Sequence, residues 1–128
     1  MKKIVILLFP LLTSCAYFAA KYDPNEYKLI TEIGLDANRY KTQCSNPIAK
    51  ANAANITYKT ELLERYTRDL SDNDEVYKAS IELNDIAKGL ESRYSEPTPV
   101  PKVFCELKYA SIENAALLLK HVTGKKPR

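Results

Sequence analysis

Six residues of one stretch, Val76, Ser80, Leu83, Ala87, Leu90 and Tyr94, follow one another at alternating steps of four and three. Such steps return to one face of a helix with 3.6 residues per turn; a strand, with its period of two, would scatter them over both faces. The stretch is therefore a helix of about 20 residues, or roughly 30 Å, with one apolar stripe to hide. A striped helix buries its stripe only against other elements, so the rest of the chain has to supply partners.

Three further segments carry helical spacing. In the first, Asp23-Pro24-Asn25-Glu26 reads as N-cap, first-turn proline and capping-box acid, followed by Leu29, Ile30, Ile33, Ala37, Tyr40 and Cys44. Gly34 inside it costs about 1 kcal/mol against Ala. The second opens at Asn46-Pro47, the same arrangement, with Ile48, Ile56, Leu63, Tyr66 and Leu70 on its apolar face. The third is the 76–94 stripe, preceded by the cap-formers Ser71-Asp72-Asn73-Asp74-Glu75, whose acids suit the positive end of a helix dipole. After the stiff segment Glu96-Pro97-Thr98-Pro99-Val100-Pro101, a fourth helix runs from about Lys102 to Thr123. Cys105, Ile112, Ala115, Ala116, Leu119 and Val122 mark its inner side, and Gly124 stands at the C-cap position.

Nothing in the sequence reads as a strand, and the chain has only three glycines. The simplest packing is all-α: an antiparallel up-down four-helix bundle over residues 23–124, followed by a basic tail at 125–128. The alternative is a long helical hairpin that dimerises through the stripe of the third segment.

The amino terminus belongs to a different kind of segment. Lys2 and Lys3 precede an apolar run from Ile4 to Leu12, broken only by Pro10, and Leu12-Thr13-Ser14-Cys15 follows. A basic start, a short apolar run and small residues make a secretory signal. The run is too short to span a bilayer, which takes about 20 apolar residues. Leu12-Thr13-Ser14-Cys15 resembles the lipobox of bacterial lipoproteins. The resemblance implies that residues 1–14 are a signal peptide, with Leu12, Thr13 and Ser14 recognised by the signal peptidase. It further implies cleavage before Cys15 and a diacylglycerol on the Cys15 thiol. Each buried methylene contributes about 0.8 kcal/mol, so two or more acyl chains make a durable anchor. In enterobacteria-like hosts the resemblance further implies that Ala16, rather than Asp, after the cysteine sends the protein to the periplasmic side of the outer membrane. The tether from Ala16 to Tyr22 reaches at most about 25 Å, so the domain sits close to the bilayer. Tyr17 and Phe18 suit the headgroup layer or the domain surface.

Of nineteen basic and sixteen acidic residues, the signal carries two lysines and no acid, so the net charge falls from +3 to +1 on cleavage. That leaves no global electrostatic case for a nucleic-acid partner. Export also bears on the other two cysteines. In an up-down bundle Cys44, ending the first helix, and Cys105, starting the fourth, fall at the same end, and an oxidising compartment would join them. The bridge would close a loop of roughly 60 residues, worth about 4 kcal/mol in chain entropy.

Few residues invite chemistry. His121 is the only histidine and has no partner at motif spacing. Asp69, Asp72, Asp74 and Glu75 cluster at a helix junction, but their spacing is not that of a calcium loop and helix capping accounts for them. Tyr27, Tyr40, Tyr58, Tyr66, Tyr77, Tyr94 and Tyr109, of nine tyrosines, fall on helices and suit a core boundary. Asn55-Ile56-Thr57 matches a glycosylation triplet, which a bacterial export signal makes uninformative. The tail, Gly124-Lys125-Lys126-Pro127-Arg128, reads as loose and able to touch anionic polymer or membrane. There is no phosphate-cradling loop, Cys-x-x-Cys pair or nucleophile elbow.

No catalytic, cofactor-binding or metal-ligating residue is therefore nominated. The expected function is a membrane-anchored, non-enzymatic binding or structural module of the cell envelope. Its partners would be the bilayer through Cys15, an envelope protein and, by contact, peptidoglycan. Small size and a short tether also resemble, in outline, small phage-encoded lipoproteins. That resemblance implies an outer lysis (spanin-like) subunit or a superinfection-exclusion protein. Outer lysis subunits are often proline-rich, whereas proline in the mature chain clusters in one linker. A cell-wall enzyme would need paired acids or a nucleophile.

Overall fold

A computed structural model describes residues 20–128. The described chain forms four α-helices and no strand: α1 (Pro24–Tyr40), α2 (Ala49–Arg68), α3 (Asp74–Tyr94) and α4 (Lys102–Gly124). Each helix packs on two others, α1 and α3 both touching α2 and α4. The α2–α3 and α1–α4 seams are the most extensive.

The apolar spacing places the core. Ile30, Ile33, Ala37 and Tyr40 of α1 are buried together with Tyr109, Ile112, Ala116 and Leu119 of α4. Tyr40 and Tyr109 meet edge to face, 5.8 Å between ring centres, a geometry aromatic quadrupoles favour. Gly34 lies at the crossing, where an added Cβ would come within 3.4 Å of the Ala116 Cβ. The 76–94 stripe turns inward within its own chain, from Val76 to Leu90, with Tyr94 half-buried. The hairpin alternative, which needed that stripe for a second chain, is thereby removed.

The α2–α3 seam is built from small and polar side chains. Ala53, Thr57, Thr60 and Thr67 face Ser80, Asn84 and Ala87. Asn84 Nδ2 donates to Thr60 Oγ1 at 2.8 Å, and the Thr67 and Ser80 hydroxyls are 3.0 Å apart. Thr57 Oγ1 lies within hydrogen-bonding reach of the Ala87 carbonyl, 3.1 Å away. These contacts satisfy donors whose burial would otherwise cost about 1–3 kcal/mol each, while Asn84 Oδ1 is buried without a partner among the described residues.

Several local expectations are corrected. Helix α2 starts at Ala49, not at Pro47. Asn46-Pro47-Ile48-Ala49 is a turn in which the Asn46 carbonyl accepts from the Ala49 N–H at 3.0 Å. Ile48, at φ −80° and ψ −3°, has the third-residue geometry of a type I turn, with proline at the second place. Ile48 is consequently exposed, as are Val122 and Tyr58. Gly124 is the last residue of α4 rather than a left-handed cap, since no glycine has positive φ. Its missing Cβ makes room for the Tyr27 ring, which a Cβ would approach to 3.2 Å. Before α3, Asn73 precedes the helix without a side-chain cap bond, and Asp72 takes the left-handed conformation (φ 54°) that Asp tolerates.

Candidate functional site

Leu12, Thr13, Ser14 and Cys15 lie outside the described residues, as do Tyr17 and Phe18. The nearest described part of the chain is the pole where residues 20–23 enter the helices. Asp23 holds it from below. Its Oδ1 accepts from the backbone N–H of Asn25 and of Glu26, each at 2.9 Å, the N-cap read from the sequence. The Tyr66 hydroxyl, from the end of α2, donates to the same carboxylate at 2.9 Å. Burial and the adjacent Asp23 charge push the Tyr66 phenol above its usual range, although Asn25 opposes this by donating to the same oxygen.

Glu26 does not close a capping box. Its side chain is fully buried, with Oε1 2.6 Å from Lys126 Nζ and Oε2 2.5 Å from Asn73 Nδ2. Lys126 Nζ also donates to Asn73 Oδ1 at 2.6 Å, closing a triangle of acid, amide and amine. The expectation of a loose tail is overturned here. Lys126 is 8% exposed and neutralised, the Tyr22 N–H donates to the Pro127 carbonyl at 2.9 Å, and the Arg128 guanidinium lies 4.3 Å from the Tyr22 ring centre. Lys126 is therefore not available to anionic polymer.

Beside this triangle an open recess is lined by Ala20, Asn73, Val76, Val122 and Pro127, with Asp72, Asp74 and Glu75 on its rim. The acids are exposed and Lys125 lies among them. No group of three His, Cys, Asp or Glu placed to hold a metal ion occurs among the described residues. Asp69 instead contacts Arg68 at the surface. His121 is exposed one turn before the end of α4.

The opposite pole holds the two predicted cysteines. Cys44 and Cys105 form a disulfide with their Cα atoms 5.9 Å apart, and the Tyr94 hydroxyl donates to the Cys44 carbonyl at 3.2 Å. The pairing is that expected from the sequence. The Glu26–Asn73–Lys126 triangle was not expected, though a signal existed. Glu26, Ile30, Ile33, Ala37 and Tyr40 step by four, three, four and three, which puts the acid on the core stripe.

No protein-family model, curated protein or solved structure matches the chain. No helix among the described residues is long and apolar enough to cross a membrane.

Proposed function

We propose that the chain is a lipid-anchored, non-enzymatic lipoprotein of a bacterial envelope, held through Cys15 on the periplasmic side of the outer membrane. The observation that carries this reading is the Cys44–Cys105 disulfide in a chain that opens on Lys2-Lys3, an apolar run and Leu12-Thr13-Ser14-Cys15. Disulfides persist in exported proteins and are rare in the reducing cytosol. The two features call for the same compartment through unrelated chemistry.

The helices, in this reading, alternate up and down in an antiparallel bundle. In its favour, the start of α1, the end of α2, the approach to α3 and the exit of α4 share hydrogen bonds at the tether pole. The turn that follows α1, the end of α3 and the start of α4 meet at the disulfide pole. A tether of at most about 25 Å keeps the bundle beside the bilayer, where its role is to bind or brace envelope components. The triangle at the tether pole ties the start of α1 to the exit of α4, so pull on the anchor is transmitted to the folded body.

The test is metabolic labelling with a palmitate analogue in a Gram-negative host. Label on the wild-type chain, loss of label and of cleavage in Cys15→Ser, and outer-membrane fractionation are expected. An unlabelled product released into the periplasm overturns the proposal. Peptidoglycan zymography distinguishes the enzyme class, since a cleared zone would contradict a binding or structural role.

A further inference from the structure

Helix α4 carries two stripes. The inner one, through Cys105, Tyr109, Ile112, Ala116 and Leu119, is buried. The outer one, Val103, Leu107, Ala110, Asn114, Leu117 and His121, again steps by four and three. Val103, Leu107 and Leu117 are 65%, 62% and 55% exposed, and the neighbouring Leu118 is 65% exposed. A surface helix normally turns charged residues outward. Here the face opposite the core is apolar at Val103, Leu107, Ala110 and Leu117, with Asn114 as its one interior polar position and His121 at its end, the pattern of a coiled-coil seam without its second strand.

We propose that this face is the interface of a homodimer in which two copies of α4 lie antiparallel, the axis crossing the outer face midway between Ala110 and Asn114. The sequence selects both partner and direction. In that register Val103 meets His121 of the second copy, Leu107 meets Leu117, and Ala110 meets Asn114. On one flank Phe104 meets Leu118. On the other, Glu106 meets Lys120, and symmetry makes this ion pair twice. The parallel arrangement stacks Asn114 on Asn114, faces Glu106 with Ser111 and faces Glu113 with Leu118, forming no ion pair. Charge complementarity therefore belongs to the antiparallel dimer alone.

The flanking charges are free to pair. Glu106 has only an exposed contact with Lys102 at 3.7 Å, and Lys120 lies over the Tyr27 ring at 5.8 Å. A surface ion pair and a surface cation–π contact each contribute little. Glu113, close to the axis, is matched within its own chain by Lys41 at 2.7 Å and Asn38 at 2.6 Å, so two copies do not meet there as bare acids. A membrane surface fits this face less well, because Glu106 borders the stripe and Asn114 interrupts it. The dimer does not depend on the lipid-anchor reading. It is compatible with it: tethers at both ends of a dimer lying flat reach one bilayer.

The test cross-links the full chain in whole cells with a short bis-maleimide, using Ser111→Cys, which lies beside the axis. Dimer yield well above that of the wild type, and of Glu82→Cys on the outer side of α3, is expected. Adding Glu106→Lys or Lys120→Glu alone should lower the yield several-fold, and adding both should restore it. Yield at the background level, or no recovery in the double reversal, overturns the proposal. So does efficient self-cross-linking of Val103→Cys, which marks a parallel pair. A rise in yield with Glu106→Lys alone also overturns it, because that marks a face seated on anionic headgroups.

Discussion

At the scale of single residues, the fold keeps a full ion pair inside. Glu26 is completely buried and Lys126 nearly so, and Asn73 serves both. Such a pair adds little net stability over an apolar isostere, but removing one member strands the other charge. Lys126→Met should therefore destabilise the protein by about 3–5 kcal/mol in urea unfolding. Glu26→Leu combined with Lys126→Met should be more stable than Lys126→Met alone. If the double variant is the less stable of the two, the stranded charge is not the cause. Tyr109 presents the opposite case. Its hydroxyl is buried with no hydrogen-bond partner among the described residues, and burial pushes its phenol far above the ordinary range. Deleting an unsatisfied group removes a penalty, so Tyr109→Phe should match or exceed the wild type by up to about 1 kcal/mol. A clear loss would reveal a partner for that oxygen.

At the scale of helices and their seams, what could be read from the sequence divides by range. The stripes of α1, α3 and α4 were legible because burial obeys a period, and the Asp23 cap because it is local. The start of α2 was not. Asn-Pro serves equally as helix cap or as turn, and only the path from Cys44 into the next helix decides. The same limit hid Glu26, whose position three residues after Asp23 fits a capping box, while its partners lie 47 and 100 residues away. The disulfide was legible because export and topology each pointed to it. The recess at the tether pole was not, since residues 20, 73, 122 and 127 meet only through the fold.

The α1–α4 seam also carries a pH dependence. Hydrogen bonding to Lys41, and next to Asn38, holds the Glu113 carboxyl below its usual range. A depressed folded-state value means the stabilisation is full above the unfolded value, about 4.3, and is lost as pH falls through the folded one. Wild type should thus exceed Glu113→Gln in stability at pH 6, with the gap closing as the pH is lowered past 4. A gap independent of pH would assign the effect to packing. On α3, Gly89 is exposed mid-helix with nothing within 4 Å of an added Cβ. Gly89→Ala should stabilise by about 1 kcal/mol.

At the scale of the whole molecule, the chain is closed at both poles of the α1–α4 seam. One pole is tied by Tyr22 to Pro127 and by Glu26 to Lys126, the other by Cys44 to Cys105. Only the second tie is covalent, so only it survives in the unfolded chain. It joins residues 61 apart in sequence, and holding such a loop closed lowers the entropy of the unfolded ensemble by about 4 kcal/mol at room temperature. Replacing both cysteines with alanine should therefore cost about that much, a large share of the 5–15 kcal/mol that holds a typical domain. The way the loss is distributed separates the entropic account from a packing one. An unfolded chain freed of its cross-link expands and exposes more surface, so the denaturant slope of the alanine variant should steepen while its midpoint falls. A fall in midpoint at constant slope would mean that the sulfur atoms act mainly as packing for Tyr94 and the start of α4. An unchanged midpoint at an unchanged slope would mean that the bridge adds nothing to the stability of the fold.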